Sequence, residues 1–195
     1  MLKIGVLAIQ GDVSEHAFAV EKTLKKLNLN GEIVEVKTAG QVKEIDALII
    51  PGGESTAIGK LMAKTGIDNA IKEISGKIPV MGICAGMVLI SGEVRSGINE
   101  QQLLNLMNIK VNRNAFGRQR ESFEAEISSK IGVIHGVFIR APVIESAGKD
   151  VEVLAEYEGK IVMARQGKIL ALSFHPELTC DTKVYEYFLK LGDLK

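Results

Sequence analysis

Cysteine is scarce in this chain, with only Cys84 and Cys180 among 195 residues. A chain of this length with 46% hydrophobic residues can bury a core that needs no disulfide to hold it, so each cysteine reads as a thiol or a packing residue. An excess of either charge is missing too. Lys+Arg and Asp+Glu both count 24 and no long single-sign run appears, which argues against nucleic acid or an anionic membrane as partner. Long hydrophobic runs are absent: IGVLAI (4–9) is far too short to span a bilayer, and the following QGDVSEHA lacks a signal-peptide cleavage pattern. The expectation is a cytoplasmic protein. With no repeat, low-complexity tract or linker to divide it, 1–195 is expected to be a single domain.

What is present is a βαβ grammar. The runs KIGVLAI (3–9), EIVEV (32–36), DALIIPGG (46–53) and IPVMGI (78–83) are continuously apolar, as in strands buried on both faces of a parallel sheet. Between the first two, residues 12–27 carry Ala17, Val20, Leu24 and Leu27 at helical spacing, with Asp12 and Glu15 spaced as a capping box. A second helical block, 55–76, is expected to break at Gly66. The later runs NIKVNRN (108–114), SFEAEI (122–127), GVIHGVFIR (132–140) and 151–174 are strand-like, with hairpin turns at Glu158-Gly159 and Gln166-Gly167. They predict antiparallel strands added to an α/β core. A closing helix over 181–192 presents Val184, Tyr187, Phe188 and Leu191 and ends at Gly192.

The segment PVMGICAGM (79–87) sets Cys84 between a strand and a short helix starting near Ala85, with Gly82 and Gly86 two places to either side. Such an elbow forces the middle residue into a cramped backbone geometry and lifts its side chain clear, and a helix N-terminus favours thiolate over thiol. On these residues alone, a close strand–helix contact around a buried cysteine fits equally well.

A thiol nucleophile needs a base, and the chain has three histidines. His16 falls inside the first helix, where surface or packing roles are routine, and His135 lies in a strand-like run with no carboxylate close in sequence. His175 follows the apolar run ILALSF and opens HPEL (175–178), which puts it at a strand end. In extended chain Glu177 lies on the same side and can fix its tautomer. Cys84, His175 and Glu177 then form a nucleophile, base and orienting acid. His175 and Cys180 lack further ligands at metal-binding spacing, and Cys180 is expected to stand aside. PGGEST (51–56) adds glycines whose backbone N–H groups suit an oxyanion, and equally a Gly-Gly turn with Ser55 or Thr56 as N-cap.

PGGES, GICAG and HPEL in this order resemble the class I, triad-type glutamine amidotransferases. AIQGDVSEH (8–16), PGGEST, NRNAFGRQRESFEAEI (112–127), GVFIRAP (136–142) and SFHPELT (173–179) narrow the resemblance to glutaminase subunits of pyridoxal 5′-phosphate synthase, over nearly the whole chain. GICAGM departs from the family's GTCAG form at Ile83, which supplies no catalytic group.

The resemblance implies a flavodoxin-like three-layer α/β sandwich, a mostly parallel central sheet with added antiparallel strands. It implies that Cys84 attacks the side-chain amide of L-glutamine, that His175 shuttles protons and that Glu177 orients it. Gly53 and Ala85 would supply oxyanion N–H groups, and Gly53, Glu54, Ser55, Arg113, Ile139 and Arg140 would bind glutamine. It implies no cofactor for this chain and a TIM-barrel synthase subunit that receives the ammonia, with low activity until that partner docks. Two rivals are another cysteine-elbow hydrolase of the protease/deglycase type and a regulatory subunit without turnover. The placement of HPEL and PGGES argues against the first, and the intact Cys84, His175 and Glu177 against the second.

Overall fold

Alternating faces of two short strands explain why the chain folds in layers. Ala47, Ile49, Met81 and Ile83 belong to one apolar cluster, while Leu48, Ile50 and Val80 between them belong to another. A strand with period-2 side chains that are apolar on both faces needs cover on both faces. The computed structural model describes residues 1–11, 13–95, 101–113, 116 and 122–192. In chain order these form β1 (Leu2–Leu7), α1 (Val13–Leu27), β2 (Gly31–Val36), α2 (Ala39–Val42), β3 (Ala47–Ile50), α3 (Ser55–Thr65), α4 (Ile67–Ile74), β4 (Val80–Ile83) and α5 (Ala85–Ile90). There follow β5 (Ser91–Arg95), β6 (Met107–Asn112), β7 (Ser122–Ser129), β8 (Gly132–Ile139), β9 (Val143–Ala147), β10 (Glu152–Tyr157), β11 (Lys160–Gln166), β12 (Ile169–Leu172), a 3-10 turn (Pro176–Leu178) and α6 (Lys183–Lys190).

The sheet runs β2-β1-β3-β4-β12-β11-β10-β7-β8. Its first five strands are all parallel, and their order is the flavodoxin-like one with β12 in the fifth place. From β12 onward the pairs are antiparallel, and β9 branches off β11 to carry β6 and β5. Residues of α1 and α6 share one apolar cluster, and residues of α3, α4 and α5 the other, which makes the three layers. Among the described residues no helix is long and apolar enough to cross a membrane.

Several sequence expectations hold. Gly66 separates α3 from α4 in a left-handed conformation (φ 71°), and Glu158 and Gly159 both take positive φ, as a two-residue primed hairpin turn requires. Others need correction. The second turn is Gly167–Lys168, since Gln166 still pairs with Ile169. The segment ILAL is no outlying antiparallel strand: β12 pairs in parallel with β4 in the middle of the sheet. β5 and β9 were not foreseen, because they are short and lack a clean apolar alternation.

Both terminal-layer helices bury a different stripe from the one spacing suggests. α1 buries His16, Ala19, Val20, Thr23 and Leu24, leaving Ala17 and Leu27 half-buried. In α6 the buried set is Val184, Tyr185, Phe188 and Leu189, not Tyr187 and Leu191. Helical spacing leaves such a stripe uncertain by about one residue, or 100° of rotation. The Asp12 cap and most of the NRNAFGRQ block lie outside the described residues.

Candidate active site

The elbow is built by close packing. Cys84 takes φ 51° and ψ −103°, a conformation that costs a non-glycine residue about 1–3 kcal/mol. Its N–H is tied to the Leu172 carbonyl of β12 at 2.8 Å, and its sulfur is half-buried, 3.9 Å from the Ile139 carbonyl. The glycines serve contact more than flexibility. A Cβ on Gly86 would lie 2.1 Å from the Ile50 carbonyl oxygen, and one on Gly82 would lie 2.6 Å from the Gly86 oxygen. Gly86→Ala must therefore push α5 off β3, and is expected to lower stability in chemical denaturation by about 1–3 kcal/mol.

His175 reaches the sulfur because β12 lies beside β4. Its backbone N–H bonds the Val137 carbonyl of β8 at 2.8 Å, and Gly52 leaves room for the ring, since a Cβ there would lie 2.6 Å from His175 Cε1. His175 Nδ1 is 2.6 Å from Glu177 Oε1. The pairing expected from HPEL is present, but its geometry differs from the extended segment assumed. Residues 176–178 close a 3-10 turn with Pro176 at its first position, where a fixed φ and a missing N–H cost nothing.

Both members of this pair are buried. Burial alone would lower the His175 pKa, yet the Cys84 side chain and the Glu177 carboxylate outweigh it and raise it from 6.5 to about 10. Burial would push Glu177 up, but the hydrogen bond from His175 and the neighbouring His16 and His175 hold it below its ordinary value. At neutral pH the site is therefore an imidazolium held between a carboxylate and a sulfur, the electrostatic setting of an activated thiol.

A cavity of about 420 Å³ opens over this group. Gly53, Glu54, Ser55, Cys84, Ala85, Arg113, Ile139, Arg140 and His175 all line it, joined by Val88 and Pro142. Glu177 lies behind His175. Nine of the ten residues singled out from sequence thus converge from five separate stretches of chain.

The rim is cross-linked. The N-cap of α3 is Glu54, not Ser55 or Thr56: its carboxylate accepts from the Thr56 and Ala57 N–H groups at 3.0 and 2.7 Å. Arg113 Nη2 reaches the same carboxylate at 3.3 Å. Desolvation works against the charge on Glu54, but these N–H groups and Arg113 keep its pKa below the usual value. Ser55 is buried and donates to Gln101 Oε1 at 2.9 Å; Gln101 Nε2 returns a bond to the Ser55 carbonyl, and Arg113 Nη1 meets Gln101 Oε1 at 3.4 Å.

Sequence reasoning missed four contributors. Gln101 carried no motif. Gln10, whose Oε1 accepts from the Glu54 N–H at 3.3 Å, and His16 both sat inside the AIQGDVSEH block without a role. Tyr185 lies on the misjudged face of α6. His135, by contrast, does have carboxylates: cross-strand Glu126 and Glu124 lie 2.7 and 2.8 Å from its ring nitrogens, on the surface and away from the cavity. Their hydrogen bonds raise its pKa. Cys180 is exposed and free. Among the described residues no group of three His, Cys, Asp or Glu is arranged to hold a metal.

The chain is similar to known proteins over nearly its whole length. A solved structure described as a glutamine amidotransferase is 45% identical, with a TM-score of 0.88, and covers 97% of this chain and 98% of its own. A protein of Archaeoglobus fulgidus named pyridoxal 5′-phosphate synthase subunit PdxT is 50% identical over 197 residues, covering 98% of this chain and 99% of its own. One of the same name from Methanothermobacter thermautotrophicus is 51% identical over 190 residues, covering 97% and 96%. The family model described as the SNO glutamine amidotransferase family matches residues 6–192, nearly the whole length that carries the elbow, the histidine turn and the cavity between them, so the chain belongs to that family.

Proposed function

We infer that this chain is the glutaminase subunit of a pyridoxal 5′-phosphate synthase: it hydrolyses L-glutamine to L-glutamate and ammonia and supplies the ammonia to a synthase subunit. Relatives near 50% identity bear that subunit's name. The observation that most directly supports the site assignment is one cavity in which a strained cysteine, a carboxylate-backed histidine and a charged rim meet.

In this mechanism Cys84 Sγ attacks the side-chain amide carbon of glutamine. The developing oxyanion is received by backbone N–H groups of Gly53 and Ala85. His175 gives its proton to the amide nitrogen, the C–N bond breaks, and ammonia leaves a glutamyl thioester on Cys84. Water, deprotonated by His175, then attacks the thioester and releases glutamate. Glu177 keeps the ring in register throughout.

A cavity of this size suits one amino acid. Glu54 presents a carboxylate to the substrate ammonium, while Arg113, Arg140 and the backbone at Ile139 complete recognition of the α-carboxylate end. Arg113 is held by both Glu54 and Gln101, so Gln101→Ala is expected to raise KM for glutamine about 3- to 10-fold with kcat within about twofold, the loss of one or two hydrogen bonds.

The synthase partner is proposed to be a TIM-barrel subunit that joins a pentose phosphate and a triose phosphate, with pyridoxal phosphate as the product of the complex. The complex is placed in the cytoplasm, where the free thiol of Cys84 stays reduced. Glutamine-dependent ammonia release, measured with and without the synthase, tests the reading. Strong stimulation by the partner is expected, and a complex that releases no ammonia would make the chain a non-catalytic subunit.

A further inference from the structure

We propose that His16 is a positioning residue for the glutamine-hydrolysing site, one that fixes Glu177 from the helix layer and through it the ring of His175. The proposal rests on the triad reading above. His16 is fully buried on α1, 169 positions in sequence from Tyr185 and yet with its Nδ1 2.8 Å from the Tyr185 hydroxyl. Its Nε2 faces Glu177 Oε1 at 3.5 Å, the same oxygen that lies 2.6 Å from His175 Nδ1. Three elements, α6, α1 and the 3-10 turn, are thus joined in a polar line ending at the base.

Chemistry fixes the direction of that line. Burial and the nearby Glu177 charge push the Tyr185 phenol well above its ordinary value, so its hydroxyl keeps its hydrogen. Were His16 to donate from Nδ1 to that hydroxyl and leave Nε2 bare, a lone pair would face the carboxylate in a dry interior, at a cost in energy. Donation from Tyr185 to Nδ1 instead leaves the hydrogen on Nε2, facing Oε1. A positive N–H end then favours the charged form of Glu177, in keeping with the contribution of His16 to its lowered pKa.

Glu177 needs such a hold. It stands on a three-residue turn rather than a strand, and α1 packs directly against that turn. Among the described residues, the titratable groups around His16 include Tyr185 on α6, Glu177 with His175 beyond it, and Glu15 on its own helix.

The test uses the assembled synthase complex in a Cys180→Ala background, so that iodoacetamide alkylation reads Cys84 without the exposed second thiol. His16→Leu is expected to lower kcat roughly 10- to 100-fold, as for one close polar contact to a buried carboxylate, with KM within about twofold. The pH profile of Cys84 alkylation should move to higher pH. His16→Gln, which keeps an N–H near the Nε2 position, should stay within about threefold of the parent, and Tyr185→Phe should fall between the two.

In a Glu177→Gln background His16→Leu should add less than about threefold, because both act through one carboxylate. Unchanged kcat and alkylation profile in His16→Leu, multiplicative losses in the double variant, or His16→Gln as damaged as His16→Leu would each overturn the proposal. If His16→Leu does not fold, parent-like kcat and alkylation in Tyr185→Phe overturn it. A parent complex that releases no ammonia refutes the glutaminase reading instead, and alkylation still reports on His16 independently.

Discussion

Cys84→Ala is expected to bring glutamine-dependent ammonia release to background, a loss on the order of 10⁵-fold or more. Among the described residues that line the cavity, the sulfur is the nucleophile set beside His175, and Ser55 does not stand in for it. Ser55 is buried and committed to Gln101. The variant should still fold, because alanine keeps the Cβ and leaves the Cys84 N–H bond to Leu172 in place. It should also still assemble. Pyridoxal phosphate formation by the complex from added ammonium salt should therefore persist while formation from glutamine vanishes. Retained glutaminase activity in Cys84→Ala would refute the thioester mechanism. Cys180→Ala removes an exposed thiol outside the cavity and should leave both activities intact.

Glu177→Gln should cost less but still heavily, about 10²- to 10⁴-fold in kcat, through the tautomer of its neighbour. The carboxylate accepts from His175 Nδ1 at 2.6 Å and leaves Nε2 to exchange protons at the sulfur. An amide at 177 is able to donate to Nδ1, which stabilises the ring with its hydrogen on Nε2 and removes the base.

The same substitution changes how stability varies with pH. His175 titrates higher in the folded chain, about 10 against an ordinary 6.5, so its contribution is full below about 6.5 and is lost as pH rises through about 10. Glu177 is lowered from 4.5, so its contribution is present above 4.5 and is lost as pH falls through the lower folded value. Both contributions are whole between about 4.5 and 6.5. In Glu177→Gln the acid-side loss from this group should disappear and the alkaline-side loss should begin at lower pH. Denaturation midpoints across pH, taken as differences from the parent so that surface groups such as His135 cancel, check this. An alkaline limb that does not move would show that Glu177 does not hold up the His175 pKa.

Much of the candidate site is legible in the sequence. PGGEST, the cysteine elbow and HPEL are short segments whose local chemistry is written in consecutive residues: glycines where backbones touch, a proline that starts a tight turn, a carboxylate two places from a histidine. The wider blocks identified the family over nearly the full chain. Even so, local reading gave the right pair for the wrong reason at Glu177, where a 3-10 turn does what an extended segment was expected to do, and it named the wrong N-cap for α3, since Glu54 has the longer side chain that reaches back to two N–H groups.

Residues within a few positions of one another carry enough to order most of the elements, to present Cys84 at a strained elbow and to pair His175 with Glu177. Long-range packing settles that β12 lies against β4 and so delivers His175 to the sulfur, that Arg113 and Gln101 lock the rim, and that His16 and Tyr185 are buried where Ala17 and Tyr187 were expected to be. Strand pairing and helix rotation are settled by burial summed over the whole core. A periodic apolar stripe fixes a helix face only to within about one residue, and no local pattern records which distant strand will become a neighbour.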